Sequence, residues 1–266
     1  MQVLAYLAAA LIGISLGLIG GGGSILTVPV LVYLFGTTPL LATSYSLFIV
    51  GSASLVGAIN NYLKGLVSIK TALLFGLSSI TTVFMTRRFI IPAIPKHIAW
   101  VGSFELTENI LTMVLFAILM IWAARAMIRS GENKEEAAGK DKKLNIPKFM
   151  SYGIAIGLAT GILGAGGGFL LIPALVLFVG LPMKRAIGTS LLIIALNSLI
   201  GFTGDLGHFN IDWLFLGKIT AIAIAGIFIG GYLGKKIDGS KLKKGFGWFV
   251  LAMGIYIIIK ELLLKK

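Results

Sequence analysis

The sequence predicts an all-α polytopic membrane protein built from two homologous halves, and three observations support this prediction. Of the 266 residues, 57% are hydrophobic and only 12% are charged, and the mean hydropathy is +0.98. Apolar runs of about 20 residues, the length that a helix needs to cross a bilayer, recur along the whole chain. A glycine-rich break inside an apolar segment occurs twice, and each break leads to a proline, Pro29 in the first half and Pro173 in the second.

The first half, residues 1–128, begins with an apolar segment at 2–19 that ends in the run Gly20-Gly21-Gly22-Gly23-Ser24. Residues 25–35 resume the apolar pattern. Pro29 is tolerated there because it falls in the first turns of the resumed helix, so the break belongs at the glycines. Further spans are predicted at about 40–62, 67–86 and 105–128.

Between the last two spans, Arg87 and Arg88 and the segment 91–103 are predicted to form a connector at the membrane interface. The segment contains two prolines and a tryptophan, which suit a connector at the membrane interface. Residues 129–148 are the only long polar stretch, and they are predicted to be a charged cytoplasmic linker between the halves.

The second half, residues 149–266, repeats this plan. An apolar segment at 150–163 ends in the break Gly164-Ala165-Gly166-Gly167-Gly168, a short segment resumes at 169–180, and spans follow at about 185–206, 212–234 and 245–264. At a fixed offset of 144 the same residue type recurs after Gly13, Gly17, Gly36, Ala42, Ser46, Ser54 and Gly57. Two unrelated apolar sequences match by chance mainly at leucines, so matched glycines and serines indicate that the second half arose by duplication.

Loop charges discriminate between two arrangements of the halves. If each broken segment crosses the membrane, the halves are parallel, and a cytoplasmic linker places 13 Lys and Arg inside and 10 outside. If each broken segment enters and returns as a hairpin, the halves are inverted, with 16 inside and 7 outside. Because basic residues concentrate in cytoplasmic loops, the charges favour inverted halves, each with a broken helical hairpin and three transmembrane helices.

The glycine breaks predict a site for a small anion. Irregular backbone at membrane depth is tolerated only where it is buried in protein or lines a cavity. A helix that restarts after glycine offers free N–H groups and the positive end of its dipole, which together favour anions. Scattered membrane glycines usually serve helix packing instead, and that alternative stays open for the breaks. The predicted binding residues at the breaks are Gly21, Gly22, Gly23, Ser24, Gly166, Gly167 and Gly168.

Small hydroxyl residues follow the breaks at corresponding places. Thr43, Ser44 and Ser46 lie near the start of one span, and Thr189 and Ser190 lie near the start of the other. We expect Ser46, Thr189 and Ser190 to complete the coordination of an oxyanion with neutral donors. The alternative is that each hydroxyl bonds only to a carbonyl of its own helix.

Asp205 is an acidic residue in an otherwise apolar span, which makes it a candidate proton carrier. The neighbouring Gly204, Gly207 and His208 indicate the end of the span, where a carboxylate would simply be hydrated. No basic residue within the membrane is needed if the backbone of the breaks binds the anion.

Two motifs, GGGGSILTVPVL and GAGGGFLLIPAL, followed in the second half by AIGTS, resemble the TauE/SafE family of sulfite exporters. The resemblance extends over the whole chain. It implies export of sulfite, sulfoacetate or other organosulfonates across a prokaryotic plasma membrane. It departs in the first half, where Ser44-Tyr45-Ser46 stands at the place of Gly188-Thr189-Ser190. The residues that match the family motifs are Gly22, Gly23, Pro29, Gly166, Gly167, Pro173, Thr189 and Ser190.

The predicted function is therefore secondary transport of a small oxyanion, and the alternative is a membrane scaffold or assembly protein. An enzyme is not predicted, because no Ser/His or metal constellation is present, and no cofactor or metal is predicted. The net charge of +13 lies in loops between spans, which argues against nucleic acid as a partner. The expected partners are a small anion and the lipid bilayer, with a homo-oligomer left open.

Overall fold

A computed structural model describes residues 2–95, 97–101, 104–129, 146–164, 166–233 and 239–263. Within these residues the chain is almost wholly helical. The helices are α1 Gln2–Ile19, α2 Thr27–Tyr33, α3 Pro39–Leu63, α4 Ile69–Met85, α5 Ile91–Ala93, α6 Glu108–Arg129, α7 Ile146–Leu163, α8 Gly168–Ala174, α9 Met183–Asp205, α10 Trp213–Leu233 and α11 Gly239–Leu263.

Five helical stretches of the described chain are long and apolar enough to cross a membrane. They are α3, the continuous stretch Ile69–Ala93 that contains α4 and α5, and α6, α9 and α10. Three shorter apolar helices, Tyr6–Leu18, Gly23–Tyr33 and Met150–Leu163, lie next to the glycine breaks. The prediction of a polytopic helical membrane protein is therefore confirmed.

The segment predicted as an interfacial connector, with the first residues after it, contains the two strands found in the described residues. Strand β1, His97–Val101, pairs antiparallel with β2, Phe104–Thr107, and α6 begins directly afterwards at Glu108. The sequence did not predict these strands, because so short a hairpin has too few residues for an alternating pattern to stand out. Most of the predicted linker, residues 130–145, lies outside the described part of the chain.

The chain reverses direction at the first glycine break. Gly20 has a positive φ of 71°, and a 3-10 helical segment, Gly20–Leu26, joins α1 to α2. A side chain added to Gly23 would overlap Ser15 of α1, although eight residues of straight helix would separate the two positions by about 12 Å. The ring of Tyr6, near the start of α1, lies 6.0 Å from the ring of Phe35, just after the end of α2. The helices α1 and α2 therefore form a hairpin.

The second break also turns the chain back on itself. Gly164, Gly166 and Gly167 all have positive φ values, of 64° to 65°, which only glycine adopts without strain. A side chain on Gly167 would overlap Thr160 of α7, so the start of α8 lies against the helix that precedes it.

Contacts between the halves occur in matched pairs. At the centre of the molecule α3 packs against α9, and they run antiparallel, because Gly57 lies against Leu191 while Leu47 lies against Gly201. Outside this pair, α1 packs on α10 and α7 packs on α4, and α6 packs on α11. At the offset of 144 residues found in the sequence, α1 corresponds to α7 and α4 to α10. The contact of α1 with α10 is therefore the counterpart of the contact of α7 with α4.

The packing of α1 and α7 uses glycine to bring helices close together. Gly13 of α1 faces the backbone of Ala223 in α10, and Gly157 of α7 faces the backbone of Ser79 in α4. A side chain at either glycine would overlap the partner helix. Such close backbone approach is the usual way in which helices associate in a bilayer.

Candidate functional site

The two glycine breaks meet inside the protein. Gly21 of the 3-10 segment lies directly against Gly168, the first residue of α8, and a Cβ built on Gly21 would come within 2.7 Å of the Gly168 carbonyl carbon. Ile194 of α9 packs against the same point. The sequence predicted that the breaks face each other, and the structure brings them into direct contact, with no gap between Gly21 and Gly168.

The remaining break residues surround this contact. Ser24 donates a hydrogen bond from its hydroxyl to the Gly21 carbonyl at 2.7 Å, which stabilises the 3-10 segment. Gly166 lies against Val50 of α3 and against α9. The other predicted residues of the motifs are Gly22 and Gly23 in the 3-10 segment, Pro29 buried in α2, Gly167 as the residue before α8, and Pro173 within α8.

The predicted hydroxyl ligands have three different environments. Ser46 is fully buried, and its Oγ has no hydrogen-bond partner among the described residues. Ser190 donates to the carbonyl of Ile187 in its own helix at 2.8 Å, which is the alternative that the sequence left open. Thr189 accepts a hydrogen bond from the backbone N–H of Ser68 at 2.9 Å, so it ties the start of α9 to the loop before α4.

Other buried hydroxyls without partners lie beside the second break. A Cβ on Gly166 would lie 3.4 Å from Ser198 Oγ, and a side chain on Gly167 would overlap Thr160 Oγ1. Within the described chain, neither hydroxyl has a hydrogen-bond partner, and the same is true of Ser54, the counterpart of Ser198. A buried donor left without an acceptor costs about 1–3 kcal/mol. Each of these hydroxyls can therefore donate a hydrogen bond to an acceptor that binds beside it.

A buried charge pair lies beside the same break, and Thr43 contacts both. Arg87 is 0% exposed, and its Nη1 donates to Asp205 Oδ2 at 3.2 Å and to Thr43 Oγ1 at 3.0 Å. Asp205 is 1% exposed. The placement of Arg87 in an interfacial connector was therefore wrong, and the alternative that Asp205 is hydrated at the end of a span is also wrong.

Local structure explains how an arginine comes to be buried here. Helix α4 ends at Met85 and is followed without interruption by a π-helical segment, Thr86–Ile90, which carries Arg87. Gly204 of α9 provides the space, since a Cβ there would approach the Arg87 Cβ to 3.0 Å. Gly164 of the second break lies directly against Thr43, so the charge pair and the break share a neighbour.

The charge pair has no counterpart in the other half. At the offset of 144, Gly231 occupies the position of Arg87, and Asn61 occupies the position of Asp205. Asn61 donates to the Gly57 carbonyl of its own helix at 2.8 Å. Comparison of the repeats could not have revealed the pair. The sequence signals were Asp205, an acid in an apolar span, and two adjacent arginines, Arg87 and Arg88, within the apolar stretch Ile69–Ala93.

Sequence analysis also passed over a second buried acid. Glu261, near the end of α11, is 0% exposed and accepts a hydrogen bond from the Tyr33 hydroxyl at 3.0 Å. The Nζ of Lys260 lies 4.0 Å from the centre of the Tyr33 ring. This cluster joins the end of α2 to the last helix of the chain, away from the contact between the breaks.

The fold and the site define a class of protein. Several membrane-spanning helices enclose two broken helical hairpins that meet in the interior, as expected of a membrane transport protein. Residues 5–257 match the model of the sulfite exporter TauE/SafE family, and the chain belongs to this family.

Relatives from bacteria and an archaeon agree with this assignment. A probable membrane transporter protein of Xylella fastidiosa (strain 9a5c) is 31% identical over 252 residues, which are 93% of this chain and 91% of that protein. One from Haemophilus influenzae is 26% identical over 278 residues, covering 97% and 98% of the two chains. One from Methanocaldococcus jannaschii is 34% identical over 120 residues, covering 43% and 45%. No solved structure gives a significant match.

The chain is thus a multi-pass membrane transporter of a prokaryotic family with a small-molecule substrate. The family match covers both glycine breaks as well as the charge pair.

Proposed function

We propose that this transporter carries small sulfur-containing oxyanions, such as sulfite, sulfoacetate or other organosulfonates, and that it acts as a secondary exporter. The observation that carries the proposal is the meeting of two glycine breaks beside buried hydroxyl donors that have no partner in the described protein, Ser198 and Thr160. Neutral donors held around close-approaching backbone suit an oxyanion, whose several oxygens each accept hydrogen bonds. The family description, sulfite exporter, supplies the chemical class of substrate.

We infer that transport alternates between two states of inverted halves. The antiparallel packing of α3 and α9 supports this inference. So does the finding that each contact between the halves has a counterpart when the residue numbers are shifted by 144. Gly21 and Gly168 touch, so the breaks must separate or slide before a ligand can lie between them. Rocking of one half against the other would open this contact toward one side of the membrane at a time.

Flux measurements test the proposal directly. Purified protein in liposomes should move sulfite or a short sulfonate, and a Ser198→Ala variant should do so with lower affinity. Thr203→Ala is the matched control, because the Thr203 hydroxyl is exposed and donates to the Ile200 carbonyl of its own helix at 2.7 Å. A wild-type protein that neither binds nor moves these anions would refute the proposed substrate class.

A scaffold or assembly role is the second candidate, and the direct contact between the breaks favours it. If the glycines serve packing alone, replacing Gly22 or Gly166 by alanine should harm folding without changing flux per folded molecule. A change in substrate affinity in the same variants would instead support the anion site. For Gly166 the strain is predictable, because its φ of 64° disfavours any residue with a Cβ.

A further inference from the structure

Part of the guanidinium group of Arg87 has no hydrogen-bond partner in the described part of the chain. Arg87 carries five N–H groups, and among the described residues those on Nη1 alone have partners, Thr43 and Asp205. Neither Nε nor Nη2 has a hydrogen-bond partner among the described residues, although the side chain is fully buried. An arginine buried only to hold the fold together would be expected to satisfy these donors within the protein.

The two unused nitrogens form one edge of the guanidinium group. The Nε–H and one Nη2–H are parallel, and their spacing matches two oxygens of a carboxylate, phosphate or sulfonate group. The opposite end of the guanidinium, at Nη1, is already fixed by a threonine hydroxyl and an aspartate. The bonds of Nη1 therefore hold the guanidinium in place, while Nε–H and Nη2–H can donate two parallel hydrogen bonds to one group.

The Thr43 hydroxyl already makes hydrogen bonds both as donor and as acceptor. Its Oγ1 donates its single proton to the Leu40 carbonyl at 2.7 Å and accepts from Arg87, so it cannot turn to serve another acceptor. The same residue touches Gly164 of the break. A movement of the second hairpin is thus transmitted directly to the residue that orients Arg87.

We propose that the Nε–Nη2 edge of Arg87 is a binding subsite for one oxyanion group of the substrate, with Asp205 as the internal counter-ion. The subsite rests on the proposed function, which it deepens by naming a charged residue that binds the anion. It exists in one half only, because the counterparts of Arg87 and Asp205 are Gly231 and Asn61. On the inverted topology favoured by the loop charges, the subsite lies toward the outer face, where α9 ends.

The test is binding of sulfite and of methanesulfonate to purified protein by calorimetry, with chloride as the reference anion. The central variant is Arg87→Gln/Asp205→Asn. It removes both charges at once, and so avoids the heavy destabilisation of leaving one buried charge unpaired. We expect its affinity for sulfite to fall roughly 10- to 150-fold, the factor that corresponds to about 1.5–3 kcal/mol for a hydrogen bond to a charged group.

Two further variants separate the roles of the partners. Arg88→Gln is the matched control, because Arg88 is the next residue along the chain and is exposed, and it should bind like the wild type. Asp205→Asn leaves Arg87 unpaired, so its binding is measured on the protein that elutes folded from size-exclusion chromatography. This folded fraction should bind sulfite at least as tightly as the wild type, since the competing carboxylate is gone. A loss in folded Asp205→Asn equal to that of the double variant would overturn the proposal, because the anion would then depend on the intact pair.

A folded double variant that binds sulfite with wild-type affinity overturns the subsite and leaves the proposed function standing. A wild type that binds neither anion refutes the proposed function and the subsite together. If the double variant does not fold, as judged by size-exclusion chromatography, Arg87→Lys replaces it. Lysine keeps the charge but has no planar fork, so a folded Arg87→Lys protein with unchanged affinity would also overturn the subsite.

Discussion

Replacing Gly21 by alanine should force the two glycine breaks apart. The new Cβ would lie 2.7 Å from the Gly168 carbonyl carbon, where ordinary contact begins at 3.4 Å, so the two backbones must separate by about 0.7 Å or more. Overpacking of this kind typically costs about 1–3 kcal/mol. We expect a value near the upper end, because two of the three nearest atoms belong to the Gly168 backbone, which cannot rotate away as the Ile194 side chain can.

Gly217→Ala is the matched control for this substitution. Gly217 lies in α10, and no atom of the described chain lies within 4 Å of a Cβ placed there. Alanine at this position should be neutral or stabilise by about 0.5–1 kcal/mol through helix propensity. Unfolding in mixed detergent micelles can be followed by the fluorescence of the four tryptophans. If Gly21→Ala unfolds at the same midpoint as Gly217→Ala, the two breaks do not touch, and a site built on their contact is refuted.

Two other predictions concern topology and coupling. Because the chain has no cysteine, single cysteines can be placed at the exposed positions Arg88 and Lys184 and labelled from one side of the membrane. Hairpins that enter and return place these positions on opposite sides, and labelling from the same side would contradict them. Asp205→Asn should abolish the dependence of sulfite flux on pH, if Asp205 carries the proton. The other charged or titratable groups that face it, Arg87 and His208, remain in this variant, so unchanged pH dependence would exclude the role.

Much of the architecture followed from local features of the sequence. Apolar length predicted the five described stretches that can cross a membrane, whereas the predicted span 245–264 lies in α11, which is not among them. The predicted segment 40–62 differs from α3, Pro39–Leu63, by a single residue at each end. Glycine runs predicted the breaks, because successive glycines neither continue a helix nor serve packing at the usual spacing of four. The β-hairpin before α6 was missed, since strands of four and five residues carry too little periodic signal.

Tertiary structure decided what the breaks touch and which charges are buried. Arg87 and Asp205 are separated by 118 residues, and nothing in the local sequence of either one indicates the other. Only the antiparallel packing of α3 and α9 brings the end of α9 next to the start of α3, where Thr43 and the π-helical segment complete the cluster. Hydrophobic length and glycine content act within one segment and can be recognised there. The pairing of buried charges depends on the contacts among α3, α4 and α9, so it emerges only from the packed structure.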